Sequence, residues 1–147
     1  MTEWKEGDSA TMSKTVTDSD VVLFAALSGD INPVHLDEEY ASKTRFGRRI
    51  AHGMLVAGMV SAVLGTKIPG NGAIYAGQTI RFTRPVYLGD TITVTATITA
   101  YDRDRGKMLL ETVARNQDGE VVLSGEADVR YRSETVPKAE PELAKAA

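Results

Sequence analysis

The sequence predicts an α+β fold in which an antiparallel sheet wraps around one enclosed helix. Two patterns lead to that expectation. From Thr91 to Ala100 threonine occupies every odd position and Ile92, Val94, Ala96, Ile98 and Ala100 the even ones, a period of two in β-favouring residues. Upstream, Gly53–Thr66 contains Met54, Leu55, Val56, Met59, Val60, Val63 and Leu64 and no ionised side chain. A helix apolar nearly all round has to be covered by other structure, and a twisted sheet does so most simply.

In chain order, Thr17-x-x-Asp20 has the form of a capping box, and Val21, Val22, Phe24, Ala25 and Leu27 follow before Gly29. That spacing predicts a short amphipathic helix ended by the glycine. Pro33 keeps the next segment from continuing it and biases Asn32 toward extended backbone, so Asp30 and His35 are expected on one turning loop. Asp37 to Lys43 reads as a brief helical turn, and Gly53 to Thr66 as the enclosed helix. Ile74 to Arg84 reads as a strand stopped by Pro85. After Thr91 to Ala100 comes a strand from Lys107 to Asn116, joined by Asp118-Gly119 to a last one. There Val121, Leu123, Gly125, Ala127, Val129 and Tyr131 alternate with polar residues, Val122 being the exception on the polar face. The second half is therefore an antiparallel meander. An open sheet has a free edge, which pairing with a second copy would satisfy, so a homodimer is expected.

The 147 residues, 42% apolar and 25% charged, suit one domain, taken as 1–132, with 133–147 a frayed tail rich in alanine, proline, glutamate and lysine. The formal charge of −3 with scattered basic residues argues against nucleic acid or an anionic membrane surface as partner. Without cysteine there is no disulfide framework, thiolate metal site or cysteine nucleophile. The first residues lack the apolar run of a signal peptide, and no stretch is long enough for a bilayer span, so a cytoplasmic protein is expected.

The chain has two histidines. His35, with Asp30 and Asn32, belongs to Ser28-Gly29-Asp30-Ile31-Asn32-Pro33-Val34-His35. A carboxylate and an imidazole facing one space could bind and deprotonate a water; alternatively Asp30 caps backbone N–H groups and His35 simply packs. His52 precedes the apolar helix. If a substrate carbonyl lay at that helix N-terminus, the Gly53 N–H would be an oxyanion donor; otherwise His52 caps the helix and Gly53 permits tight packing. Ser61 in mid-helix is by itself a small residue bonding back to its own backbone.

The run Phe24 to His35, with Ala41 six residues on, resembles the signature of the MaoC-like (R)-specific enoyl-CoA hydratases, and Ile50-Ala51-His52-Gly53-Met54-Leu55 is similar to the start of their central helix. The likeness continues through Leu64-Gly65, Pro69-Gly70, Ile74-Tyr75, Gln78, Pro85-Val86 and Gly89-Asp90, spanning residues 7 to 131, and is strongest to the short members that feed polyhydroxyalkanoate synthesis. It implies a hot-dog fold dimer that reversibly adds water to a trans-2-enoyl-CoA, giving the (R)-3-hydroxyacyl-CoA without metal or organic cofactor. Asp30 and His35 would be the catalytic pair, Gly53 the oxyanion donor, and Asn32, His52 and Ser61 pocket residues. Hot-dog thioesterases and non-catalytic acyl-thioester-binding subunits are the alternatives; the first usually carry a carboxylate on the central helix, and this helix has none. Arg45, Arg48, Arg49 and Arg84 could meet carrier phosphates or be solvated charge.

Overall fold

The computed structural model describes residues 3–133. The chain runs β1 (Ser9–Thr15), α1 (Asp18–Ser28), α2 (Pro33–Leu36), α3 (Glu38–Ser42), α4 (Gly53–Thr66), β2 (Ile74–Phe82), β3 (Thr91–Asp102), β4 (Lys107–Arg115) and β5 (Val121–Arg130). The strands form one antiparallel sheet in the order β1-β3-β4-β5-β2. Its inner face packs on α4, the hot-dog arrangement. The expected tail lies outside the described residues except for Ser133. No helix among the described residues is long and apolar enough to cross a membrane.

Periodicity is realised most fully in the meander. Ile92, Val94, Ala96 and Ile98 of β3 and Met108, Leu110, Thr112 and Ala114 of β4 are all buried. Opposite them lie Leu55, Val56, Met59, Val60, Val63 and Leu64 of α4. Each large aliphatic side chain so covered contributes about 1.5–3 kcal/mol. The remaining stripe of α4, Met54, Gly58, Ser61 and Gly65, is exposed, so the sheet covers this helix on most of its circumference but not all.

Four features depart from the sequence expectation. β1 was not anticipated, because Ser9–Thr15 holds only two apolar side chains, Ala10 and Met12. It is instead stitched to β3 by register and by hydroxyl pairs, Ser13 with Thr93 at 2.6 Å and Thr15 with Thr91 at 2.7 Å. In β5 it is Val122 that is buried and Val121 that is half-buried. The β4–β5 register slips between Ala114–Leu123 and Arg115–Val121, and a bulge there reverses the alternation. β2 ends at Phe82, short of Arg84, although Thr83 still donates its N–H to the Val122 carbonyl of β5 at 3.0 Å. α1 has its predicted caps, Thr17 with Asp20 at one end and Gly29 at φ 79° at the other. It is not amphipathic, however: only Val21 and Ala25 are buried, while Leu23 and Leu27 are 66% and 87% exposed.

Candidate active site

Three chain segments meet at one end of the apolar helix, and each is held there by side chains bonding to backbone. After Gly29 ends α1, Asp30 turns the chain, its Oδ1 accepting the Asn32 N–H at 3.2 Å, an Asx turn. Asn32 then caps α2, its Oδ1 accepting the Val34 N–H at 3.1 Å with Pro33 following, a position that suits proline's missing donor. Pro33 therefore starts a helix as well as stopping one. The expected turning loop holds Asp30 only, and His35 sits on α2.

His35 is 8% exposed. Its Nδ1 lies 2.8 Å from the Ile50 carbonyl, which can only accept, so Nδ1 carries the proton and the neutral ring presents its lone pair at Nε2. That Nε2 is 3.9 Å from Asp30 Oδ2, beyond direct hydrogen bonding. Burial lowers the His35 pKa below its ordinary 6.5; the Ile50 hydrogen bond opposes this, the nearby His52 adds to it, and Asp30 opposes it. The contact with Asp30 at neutral pH is thus between a carboxylate and a neutral base, not an ion pair. Both packing and capping readings of Asp30 and His35 are realised, yet one carboxylate oxygen and one ring nitrogen remain to face each other. A water about 2.8 Å from each would see them at roughly a right angle, near the angle between its own two hydrogens.

His52 precedes α4 but supplies no side-chain cap. Its Nε2 instead donates to the Asp30 carbonyl at 2.9 Å, and its ring stacks on His35 at 3.8 Å between centroids and 29° between planes. The first-turn N–H groups of α4, which no helix satisfies internally, are left without a side-chain cap. Gly53, the first residue of α4, opens onto a cavity of about 370 Å³ bordered also by Asp30, His35, Met54, Val56 and Phe82. A Cβ on Gly53 would stand 2.8 Å from the Phe82 ring, so any larger residue there has to move that ring. Asp30, His35 and His52 lie close enough together to suggest a metal centre, with one atom of each within 4.8 Å of the others. Stacked rings, though, direct their lone pairs side by side, and Nδ1 of His35 and Nε2 of His52 are already donors to carbonyls.

Asp30, His35, His52 and Gly53 are therefore brought together. Asn32 is spent on capping, and Ser61 is exposed about two turns along α4, outside the cavity lining. Of the four arginines, Arg49 is committed to the His35 carbonyl at 2.6 Å and to Asp18 at 2.7 Å. Arg48 lies over the Tyr87 ring, while Arg45 and Arg84 border the cavity. Sequence reasoning missed the wall formed by Phe82, Pro85 and Val122; the bulge that turns Val122 inward leaves no mark in a one-dimensional pattern.

Residues 3–121 match the family model described as MaoC like domain. The chain is 50% identical to an (R)-specific enoyl-CoA hydratase of Rhodospirillum rubrum, covering 85% of this chain and 86% of that one. It is 46% identical to a 3-hydroxybutyryl-CoA dehydratase of Methylorubrum extorquens, over 88% and 78%. Among solved structures, the (R)-hydratase from Aeromonas caviae described as involved in PHA biosynthesis superimposes with a TM-score of 0.86 at 40% identity, covering 89% of this chain and 99% of that one.

Proposed function

The chain belongs to the MaoC-like domain family, and from that premise we propose that it adds water reversibly to trans-2-enoyl-CoA thioesters, giving (R)-3-hydroxyacyl-CoA. The observation that carries the mechanism is the 3.9 Å gap between His35 Nε2 and Asp30 Oδ2 beside the uncapped start of α4. One water donates a hydrogen to each. As its oxygen bonds to C3 of the enoyl group, a proton passes to the pair and the π electrons move toward the thioester carbonyl. The enolate-like oxygen accepts the Gly53 N–H at the positive end of α4. A proton from the pair then reaches C2, so the elements of one water are added across the double bond. In the reverse direction the same groups expel it.

The acyl tail is assigned to the apolar side of the cavity, where Met54, Val56, Phe82 and Val122 stand. The Aeromonas relative's described role supports supply of hydroxyacyl-CoA for polyhydroxyalkanoate synthesis as the physiological use. Purified protein with crotonyl-CoA is expected to remove the enoyl absorbance without releasing free thiol, and chiral analysis to return the (R) product. Thiol release would mean a thioesterase. Binding without either change would mean an acyl-thioester-binding subunit.

The assembly we propose is a homodimer joined at β2. That edge strand is exposed along almost its whole length and carries Ile74, Tyr75 and Phe82 as exposed apolar side chains. Light scattering is expected to give about twice 15.9 kDa or a multiple of that dimer. A fully active monomer at micromolar concentration would contradict it.

A further inference from the structure

His52 borders the cavity yet is only 2% exposed. Phe24 packs on it at 4.8 Å between ring centroids, and His35 at 3.8 Å. Its Nε2–H is given to the Asp30 carbonyl, and its Nδ1 is buried with no hydrogen-bond partner among the described residues. A side chain so covered has little left to offer a substrate. We infer that His52 is a positioning residue, which holds the Asp30 peptide by its Nε2–H and the His35 ring by its face, so that base pair and oxyanion donor move as one unit. This rests on the reading of Asp30 and His35 as the water-binding pair.

Asp30 and His52 are 22 residues apart, and His52 is bonded directly to Gly53. Among the bonds that join these two segments, the one from His52 is made to the peptide of Asp30 itself and so bears most directly on the distance from the Asp30 carboxylate to the Gly53 N–H. The stack does a second job. His35 is fixed by one bond from Nδ1 to Ile50, which leaves its ring free to swing about that contact, and the His52 face removes the freedom. A misplacement of about 1 Å at such a site can cost on the order of 10²-fold in rate.

The groups facing His35 are Asp30 from the α1–α2 turn and His52 from the start of α4; Arg49 is bonded to its carbonyl, and Arg45 and Arg84 border the cavity. Asp30 favours a proton on His35, whereas burial and His52 oppose it. The covering ring thereby helps to keep Nε2 available as a base.

The two contacts can be separated. His52→Phe keeps a ring against His35 and removes the donor to Asp30; kcat for crotonyl-CoA hydration is expected to fall about tenfold or more, with KM changed less than about twofold and the acid limb of the pH profile, held down chiefly by burial, still below 6.5. His52→Gln keeps an N–H donor and removes the ring; the His35 titration and the acid limb of kcat/KM should then both move up toward 6.5. Long-range proton–nitrogen NMR of the untagged wild type needs no variant. With only two histidines in the chain, one imidazole should be protonated at Nε2 and the other at Nδ1 at neutral pH. Wild-type kcat in His52→Phe, a rise in KM alone, or two imidazoles of the same tautomer would overturn the assignment, and the wild-type spectrum decides even if both variants fail to fold. Should Asp30→Asn and His35→Gln keep full hydration activity, the catalytic pair is wrong, whereas the tautomers and the His35 titration still report on the stack.

Discussion

Between Thr91 and Arg130 the chain buries alternate aliphatic side chains and satisfies its backbone through neighbouring strands. Between Thr17 and Gly53 it buries few aliphatic side chains and removes two imidazoles from water instead. The second region is held by side chains of Thr17, Asp30, Asn32, Asp37, His35, Arg49 and His52 bonding to backbone groups. The difference assigns stability to the sheet and, on the function proposed, turnover to the turns. Apolar area tolerates small shifts of its members and accounts for most of the folding free energy, whereas a hydrogen-bonded turn fixes atoms to a fraction of an ångström for little net stability.

The strongest way to break this division is Leu110→Ala. Leu110 is fully buried on β4, opposite Ile98 of β3 and Ala127 of β5. The substitution is expected to lower the unfolding free energy by about 2–5 kcal/mol, read from denaturant midpoints, while kcat of the folded fraction stays at the wild-type value. A wild-type midpoint, or a loss of kcat in folded protein, would show that sheet and site are not separable. Next come Asp30→Asn and His35→Gln, each expected to reduce turnover by roughly 10²-fold or more. That corresponds to about 2.7 kcal/mol of barrier, and the unfolding midpoint should barely move. If both residues act on one water, as proposed, the double variant should be little worse than the worse single one; multiplicative losses would mean separate roles.

How far each region is legible in sequence follows the same line. Thr91–Ala100 declares itself because each inward residue must be apolar, and the enclosed helix likewise. The candidate site is legible as residue types that the fold brings together, Asp30, His35 and the His52-Gly53 pair, but not as geometry. That Ile50 supplies a carbonyl to His35, or that His52 reaches Asp30 instead of capping its own helix, depends on backbone atoms that every residue has. β1 escaped for the opposite reason, since hydroxyl-to-hydroxyl pairing with β3 leaves no hydrophobic pattern. Thr17 lies between the two cases, as a capping box is both a sequence motif and a backbone bond. Thr17→Ala removes the acceptor of the Asp20 N–H and should cost about 1 kcal/mol in thermal or denaturant unfolding. Turnover should be unchanged, the smallest effect of the set; a tenfold loss of activity would show that the start of α1 is tied to the site.

Gly53 and Phe82 carry a consequence for how such a protein can change over generations. A methyl group at position 53 has to displace the Phe82 ring, and that ring, 51% exposed, also borders the cavity, so its displacement reshapes the cavity wall. Replacing Phe82 by a smaller residue first would free the space. Tolerance at position 53 is therefore conditional on position 82: a change at 53 made first has to move the ring, whereas the same change made after a smaller residue at 82 opens a route to a differently shaped pocket.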